Sequence, residues 1–239
     1  MTDDKMFGAK VEYTPARYPK QLRLEGRHVT LAPLVAADAP DLQASFDGST
    51  DHAIWSYLPY GPFEDAAAYA EWIKVNTAAG DPHFFTIRLN STGQAVGVAS
   101  YLRINPVEGS IEVGHINYAP SLQSTVAATE TMFLMMRWAF EQGYRRYEWK
   151  CNALNRKSRA AAQRLGFSFE GVFRQASIAK GRNRDTAWFG IIDKEWPELK
   201  AAFERWLSDD NFDAEGNQLL RLSALTAPIR VASDPLLMD

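Results

Sequence analysis

Residues 112–171 read EVGHINYAPSLQSTVAATETMFLMMRWAFEQGYRRYEWKCNALNRKSRAAAQRLGFSFEG, and the hydrophobic period changes repeatedly along them. SIEVGHINYA (110–119) reads as a strand. TVAATETMFLMMRWAFEQ then sets Thr129, Met132, Phe133, Met136 and Phe140 three and four apart, on one face of a helix that Gly143 ends. RYEWKCNA (146–153) is a strand and NRKSRAAAQRL (155–165) a short helix stopped by Gly166. FSFEGVFRQASIA (167–179) is again a strand. Strands that flank two helices in this way imply a mixed sheet with a parallel portion. That portion is expected to carry a crevice at the carboxyl end of strand 110–119, where the chain turns into a helix.

Upstream, RHVTLAPL (27–34) is a strand, and Asp38 caps a short helix with Pro40 and Asp41 in its first turn. STDHAIWSYLPYGPF (49–63) is an irregular loop with a heavy aromatic load, followed by a helix from Glu64 to about Ala79. HFFTIRL (83–89) and AVGVASYLRI (95–104) are strands; NSTG and NPVEG are hairpin turns, so these strands and 110–119 run antiparallel. Downstream, KGRN turns the chain into strand 184–193, and Glu195–Leu207 is an amphipathic helix. The fold class is α/β (α+β), a mixed central sheet flanked by helices. The chain divides into an arm over 1–22, a domain over 23–194, and a helix and tail over 195–239 that pack on or extend the domain.

The 239 residues suit one large domain with tails. A net charge of −3 argues against a nucleic-acid partner. Cys151 is the single cysteine, and with four His the chain is not expected to hold a metal. The first twenty residues lack an apolar signal core, and no apolar run approaches the ~18 residues of a membrane span, so a cytoplasmic protein is expected.

The junction INYAPSLQSTVAATE opens a helix with the small or hydroxylated residues Ser124, Thr125, Ala127, Ala128 and Thr129. A helix start offers unpaired N–H groups and a positive dipole end, which suit a phosphate; Ser and Thr there also serve simply as caps. Asn155 is placed to cap the second helix and present its amide sideways. In this order, Gln123-Ser-Thr-Val126-Ala-Ala128 with Glu130, and Asn155-x-x-Ser158 ending in Leu165-Gly166-Phe167 with Glu170-Gly171, resemble the GNAT N-acetyltransferase superfamily. The spacing is similar to the branch that acetylates ribosomal-protein N-termini.

The resemblance implies a mostly antiparallel sheet with a V-shaped splay between its central strands, and acetyl-CoA as cosubstrate. The pyrophosphate would lie on the N–H groups of Ser124, Thr125, Val126, Ala127 and Ala128, after Gln123. Val126 departs from the family's central Gly. The pantetheine would pair with Ile116, Asn117 and Tyr118 and bond the Asn155 amide. Arg159, with Arg156, Lys157 and Arg164, forms either a surface for the 3′-phosphate or a solvated charged face.

Glu112 lies four residues before Ile116. Unbroken alternation places 112, 114, 116 and 118 on one face and His115 on the other. Glu112 is read as the general base or as a rim carboxylate satisfied by an arginine. Many GNAT enzymes carry a Tyr acid seven residues after the Asn, and that position is Ala162 here. Ser158 then either protonates the leaving thiolate or bonds a carbonyl one turn back. Trp55, Tyr57 and Tyr60 line an acceptor pocket or plug two helices together. Asp185 faces the same cleft or pairs with a local arginine. The acceptor is a primary amine, on a protein N-terminus or a small molecule, and the protein is a monomer or homodimer. The second reading is a CoA-binding or interaction module without turnover.

Overall fold

The computed structural model describes residues 8–47 and 53–237. Along the chain run β1 (Leu24–Glu25), β2 (Val29–Pro33), α1 (Ala39–Phe46), α2 (Ala66–Thr77), β3 (His83–Leu89), β4 (Ala95–Asn105) and β5 (Ser110–Tyr118). After these come α3 (Val126–Glu141), β6 (Arg146–Asn152), α4 (Arg156–Arg164), β7 (Ser168–Ala179), β8 (Arg182–Ile192), α5 (Trp196–Leu207) and α6 (Leu222–Thr226). The eight strands form one sheet in the order β1-β2-β3-β4-β5-β6-β8-β7. Only β5 and β6 run parallel, since α3 carries the chain back between them; the other pairs are antiparallel.

Cross-strand register assigns the faces. Leu31 pairs with Ile87, Phe85 with Ala99, Tyr101 with Val113, and Val113 with Trp149. These apolar residues meet α3, where the buried Tyr101 hydroxyl donates to the Met135 carbonyl at 2.6 Å. Stacked pairs Phe133–Phe203 and Phe140–Trp196 then seat α5 on α3. The opposite face carries Phe84, Thr86, Leu102 and Glu112 and is covered over β3 and β4 by α1 and α2, with Trp72 edge-on to Phe84.

Several polar side chains tie these layers together. Glu130, in the second turn of α3, accepts hydrogen bonds from the backbone N–H groups of Arg27, His28 and Val29 at 2.7–3.0 Å. Its buried carboxylate therefore fixes α3 against the start of β2. Asp38 stands at the start of α1 but does not cap it. Its carboxylate takes the Thr86 hydroxyl, the Arg88 guanidinium and the Val35 N–H, because β3 offers charge-assisted partners that a helix N–H does not.

The segment before β1 is anchored by backbone: Ala16 N–H and the Tyr13 hydroxyl donate to the Pro106 carbonyl, and Arg17 N–H donates to Gln142. The segment after α5 contains α6, five residues long and too short to show a period in sequence. Thr226 donates to the Arg164 carbonyl, and Phe169 N–H donates to Ala232 along the outer edge of β7.

Candidate active site

The β5–β6 ladder runs from Ser110/Arg146 to Val113/Trp149 and stops. Beyond it, β5 continues to Tyr118 bonded to β4, and β6 continues to Asn152 bonded to β8. Gly114–Tyr118 and Lys150–Asn152 therefore border a wedge-shaped opening in the middle of the sheet. A strand edge facing such a gap offers free backbone groups to an extended ligand.

The helix face of the wedge holds α3 and α4. Thr125 caps α3: its hydroxyl accepts from Ala128 N–H at 3.1 Å and donates to the Leu122 carbonyl at 2.7 Å. The N–H groups of Val126 and Ala127, in the first turn, have no intrahelical acceptor. Ser124 adopts φ +61° and so takes the left-handed turn that glycine favours. The Val126 side chain packs against the core. The first turn is otherwise small, so this helix end fits an anion despite the missing glycine. Gln123 Nε2 donates to the Tyr118 carbonyl at 2.9 Å, closing the loop before the helix.

Asn155 caps α4 by accepting from Ser158 N–H at 3.1 Å. Ser158 does not bond back to its own helix. Its oxygen accepts from Trp149 Nε1 at 3.0 Å, and Trp149 is the last β6 residue paired with β5. A hydroxyl that already accepts one bond keeps its own proton to give. Burial pushes the Cys151 thiol up, and the neighbouring Ser158 pulls it partly back.

Arg159 differs from the sequence expectation. Its side chain is buried, its Nε and Nη2 clasp both Asp234 oxygens at 2.6 and 2.5 Å, and its Nη1 donates to the Ala153 carbonyl. The guanidinium is thus turned to the chain's C-terminal segment and away from solvent phosphate. Arg156 likewise donates to the Leu236 carbonyl and Arg164 to Thr129, while Lys157 is exposed.

The opposite face of the wedge is charged. Glu112 is 3% exposed, one residue before the last β5–β6 pair. Arg103 Nη1 lies 2.8 Å from it and Lys150 Nζ 2.9 Å. Lys150 also binds Glu148 at 2.7 Å and sits 3.5 Å above the Trp188 ring. Burial holds the Glu112 carboxyl above the usual carboxylate range even though Arg103 and Lys150 pull it down. Glu148, also desolvated, is held below that range by hydrogen bonds from Arg146 and Lys150. Of the two neighbouring carboxyls, Glu112 is thus the one pushed up and Glu148 the one held down.

Alternation along β5 is broken. Val98 pairs with Asn117 but Ser100 with Gly114, so β5 carries one extra residue, and His115 sits there at φ +51°. His115 consequently lies on the Glu112 face, between Phe84 and Tyr60 with ring centroids 5.0 and 5.5 Å away. Tyr118 moves to the opposite face, paired with Gly97. Burial, with Arg103 nearby, depresses His115 to about 4. Asn117, 2% exposed, has neither amide atom bonded among the described residues; Tyr60 Oη and His115 Nδ1 are likewise buried and unpartnered.

Of the loop over 49–63, positions 49–52 lie outside the described residues. Trp55 is buried in an aromatic cluster with Phe46, Phe63 and Tyr69. Tyr60 joins that cluster to His115, and the exposed Tyr57 hydroxyl reaches the Leu154 carbonyl at 3.3 Å. Asp185 accepts from Gln175 N–H at 2.7 Å and from Asn183, which hold it below the ordinary range; it braces the β7 bulge. Lys150, Glu148, Arg103 and Trp188 escaped the sequence reading. The period-2 pattern of RYEWKCN places Glu148, Lys150 and Asn152 on one face and was the available signal. No group of three or more His, Cys, Asp or Glu among the described residues is placed to hold a metal.

A family model described as an acetyltransferase (GNAT) domain matches residues 28–168. A GCN5-related N-acetyltransferase structure from Brucella melitensis is 41% identical, covers 90% of this chain and 98% of its own, and superposes with a TM-score of 0.85. A probable GNAT-family acetyltransferase from Chromobacterium violaceum is 39% identical over 80% of this chain and 96% of its own, with a TM-score of 0.74. The uncharacterized N-acetyltransferase YnaD of Bacillus subtilis is 27% identical over 65% of this chain and 90% of its own. The mostly antiparallel sheet flanked by helices is the architecture these structures share with the chain.

Proposed function

The chain belongs to the GNAT acetyltransferase family and is an acyltransferase; from that premise we propose that it moves the acetyl group of acetyl-CoA directly onto a primary amine through the wedge between β5 and β6. The single observation that carries this reading is the disposition of two proton-handling side chains. Ser158 lies on the helix face and Glu112 on the other, and both adjoin the last paired residues, Val113 and Trp149. A substrate threaded through the gap meets an acid on one side and a base on the other.

Acetyl-CoA supplies the activated acyl group. The N–H groups of Val126 and Ala127 hold its pyrophosphate, and the β5 edge from Gly114 to Tyr118 holds the extended pantetheine, with the Asn117 amide as a buried partner. A β5 backbone N–H near the bulge stabilises the oxyanion. Glu112 accepts the ammonium proton as the amine enters. As the C–N bond forms and the C–S bond breaks, Ser158, held by Trp149, donates its proton to the departing sulfur and regains one from the nitrogen. The acceptor enters beside Tyr57 and Tyr60. The cytosol, where acetyl-CoA is available, is the compartment this reading implies.

Glu112→Gln keeps shape and removes the base. Turnover with a high-pKa amine is expected to fall ~10²–10⁴-fold at neutral pH and to recover partly at high pH, with acetyl-CoA affinity little changed. Stopped-flow thiol release across pH reads this, with melting curves as control. Near-normal neutral-pH turnover in the folded variant, or a wild-type melting curve unmoved by millimolar acetyl-CoA, defeats the proposal.

A further inference from the structure

The cations on the charged face of the wedge fall into two groups. Arg103 pairs with Glu112, Lys150 with Glu112 and Glu148, and Arg146 with Glu148 and Glu170. Arg182 and Arg184 do not follow this rule. Lys150 pairs with Trp188 and Asn152 with Thr186, so the even residues of β8 from 182 to 188 form a row on the same face as Glu112 and Lys150. Arg184 is half-buried and makes one side-chain bond, from Nη1 to the Thr186 hydroxyl at 2.9 Å. Among the described residues neither arginine has a carboxylate within salt-bridge distance. The adjacent Asp185 does not neutralise them: it lies on the odd face of the strand, with one carboxylate oxygen engaged by Gln175 and Asn183.

The row is held in place at both ends. Lys180, in the turn before β8, donates to the Trp55 and Gly61 carbonyls at 3.0 and 3.1 Å, so the hairpin is clamped to the loop that carries Tyr60. Trp188 closes the inner end beneath Lys150, with Phe173 tilted against it, ring centroids 4.7 Å apart. Half-buried Arg184, bonded to Thr186, and exposed Arg182, neither facing a carboxylate among the described residues, form a local anion site on the charged face in a chain of net charge −3.

We infer that the acceptor amine carries an anionic group, a carboxylate or a phosphate, which Arg184 and Arg182 bind while the amine reaches Glu112. This deepens the transferase reading and rests on it. Glu112 stands level with Glu148 and Gly190, so Arg184 lies six residues along the sheet, roughly 20 Å, and two strands across from it. The amine and the anion are therefore separated by on the order of 20 Å of backbone register, less the reach of the side chains, and diamines and polyamines are poor acceptors because their far charge meets the arginines.

The test uses equal-length chains that end in an amine at one end and in a methyl, an amine, a carboxylate or a phosphate at the other, each with acetyl-CoA. The carboxylate or phosphate compound is expected to exceed the diamine at least tenfold in kcat/KM, and the better of the two identifies the anion. Arg184→Ala should remove that preference through KM and leave the neutral amine unchanged. Arg184→Glu should invert it, with melting curves confirming that both variants fold. Binding is followed separately by the shift in melting temperature with CoA present. Stabilisation by the anionic amine that Arg184→Ala abolishes, without acetylation of any compound, keeps this site and defeats the transferase reading. A diamine that matches or beats the anionic amines, or an Arg184→Ala loss that is equal for all four compounds, overturns the inference.

Discussion

Asp234→Ala is the perturbation whose cost the structure defines best. Asp234 is fully buried and Arg159 is 5% exposed; they form a two-bond ion pair across 75 residues of chain. The substitution leaves a buried guanidinium with the Ala153 carbonyl as its remaining bond. Breaking one side of a buried pair costs about 3–5 kcal/mol, a large share of the roughly 5–15 kcal/mol that holds a domain together. For a chain of this size each kcal/mol lowers the melting temperature by about 2–4 °C, so a fall of roughly 6–20 °C is expected. Urea titration should show the same loss as a shift in midpoint. The loss has a functional side, because Arg159 sits one residue after Ser158 and ties α4 to the end of β6. Well below the melting point, Asp234→Ala should lose turnover, and Asp234→Glu should restore part of it. Replacing both partners by apolar residues, Arg159→Met with Asp234→Leu, should recover most of the stability. A single Asp234→Ala variant that melts within a degree or two of the parent would refute the reasoning, since a buried unpaired charge cannot be that cheap.

Other outcomes follow from the same geometry. Under the proposed mechanism, Ser158→Ala should lower kcat more than acetyl-CoA affinity, as expected of a hydroxyl that meets the sulfur only when charge develops there; single-turnover thiol release separates the two. Gly166→Ala should destabilise by at least about 1 kcal/mol in urea titration, since φ is +95° there and a Cβ would collide with a Leu199 methyl. His115 contributes a pH dependence. Its folded value of about 4 lies below the ordinary 6.5, so the unfolded chain takes the proton first as pH falls. That contribution is fully present above pH 6.5, is lost down to about pH 4, and is of order 3 kcal/mol. His115→Asn, which suits the left-handed backbone at that position, should flatten the acid limb of the stability curve.

What could be read from the sequence follows from which constraints are local. Burial of one face enforces the period of a helix or strand along its own residues, so the eight-strand sheet's major strands and the helices up to α5 were visible as periods. The start of α3 and the cap by Asn155 are also local, and both are where the motifs place them. The β5 bulge is different. Nothing in EVGHINYA marks His115 as the extra residue, because the shift is defined against β4, and it reverses the faces of every residue beyond it. Glu112 lies before the bulge and His115 at it, so an unbroken alternation assigned the first correctly to its face and the second to the wrong one.

Arg159 shows the same limit in electrostatic form. In NRKSRAAAQR it is one of four similar cations, and helix period alone places it beside Arg156. Which of the four is buried depends on Asp234, in a segment whose only regular helix is five residues long. A charge takes its chemistry from its partner: Arg159 is locked to Asp234, Lys150 pulls on the buried Glu112, and Arg184 has no carboxylate partner among the described residues. Register and tertiary contact supply those partners, and three cations that look alike in the sequence become distinguishable only once the strands are aligned.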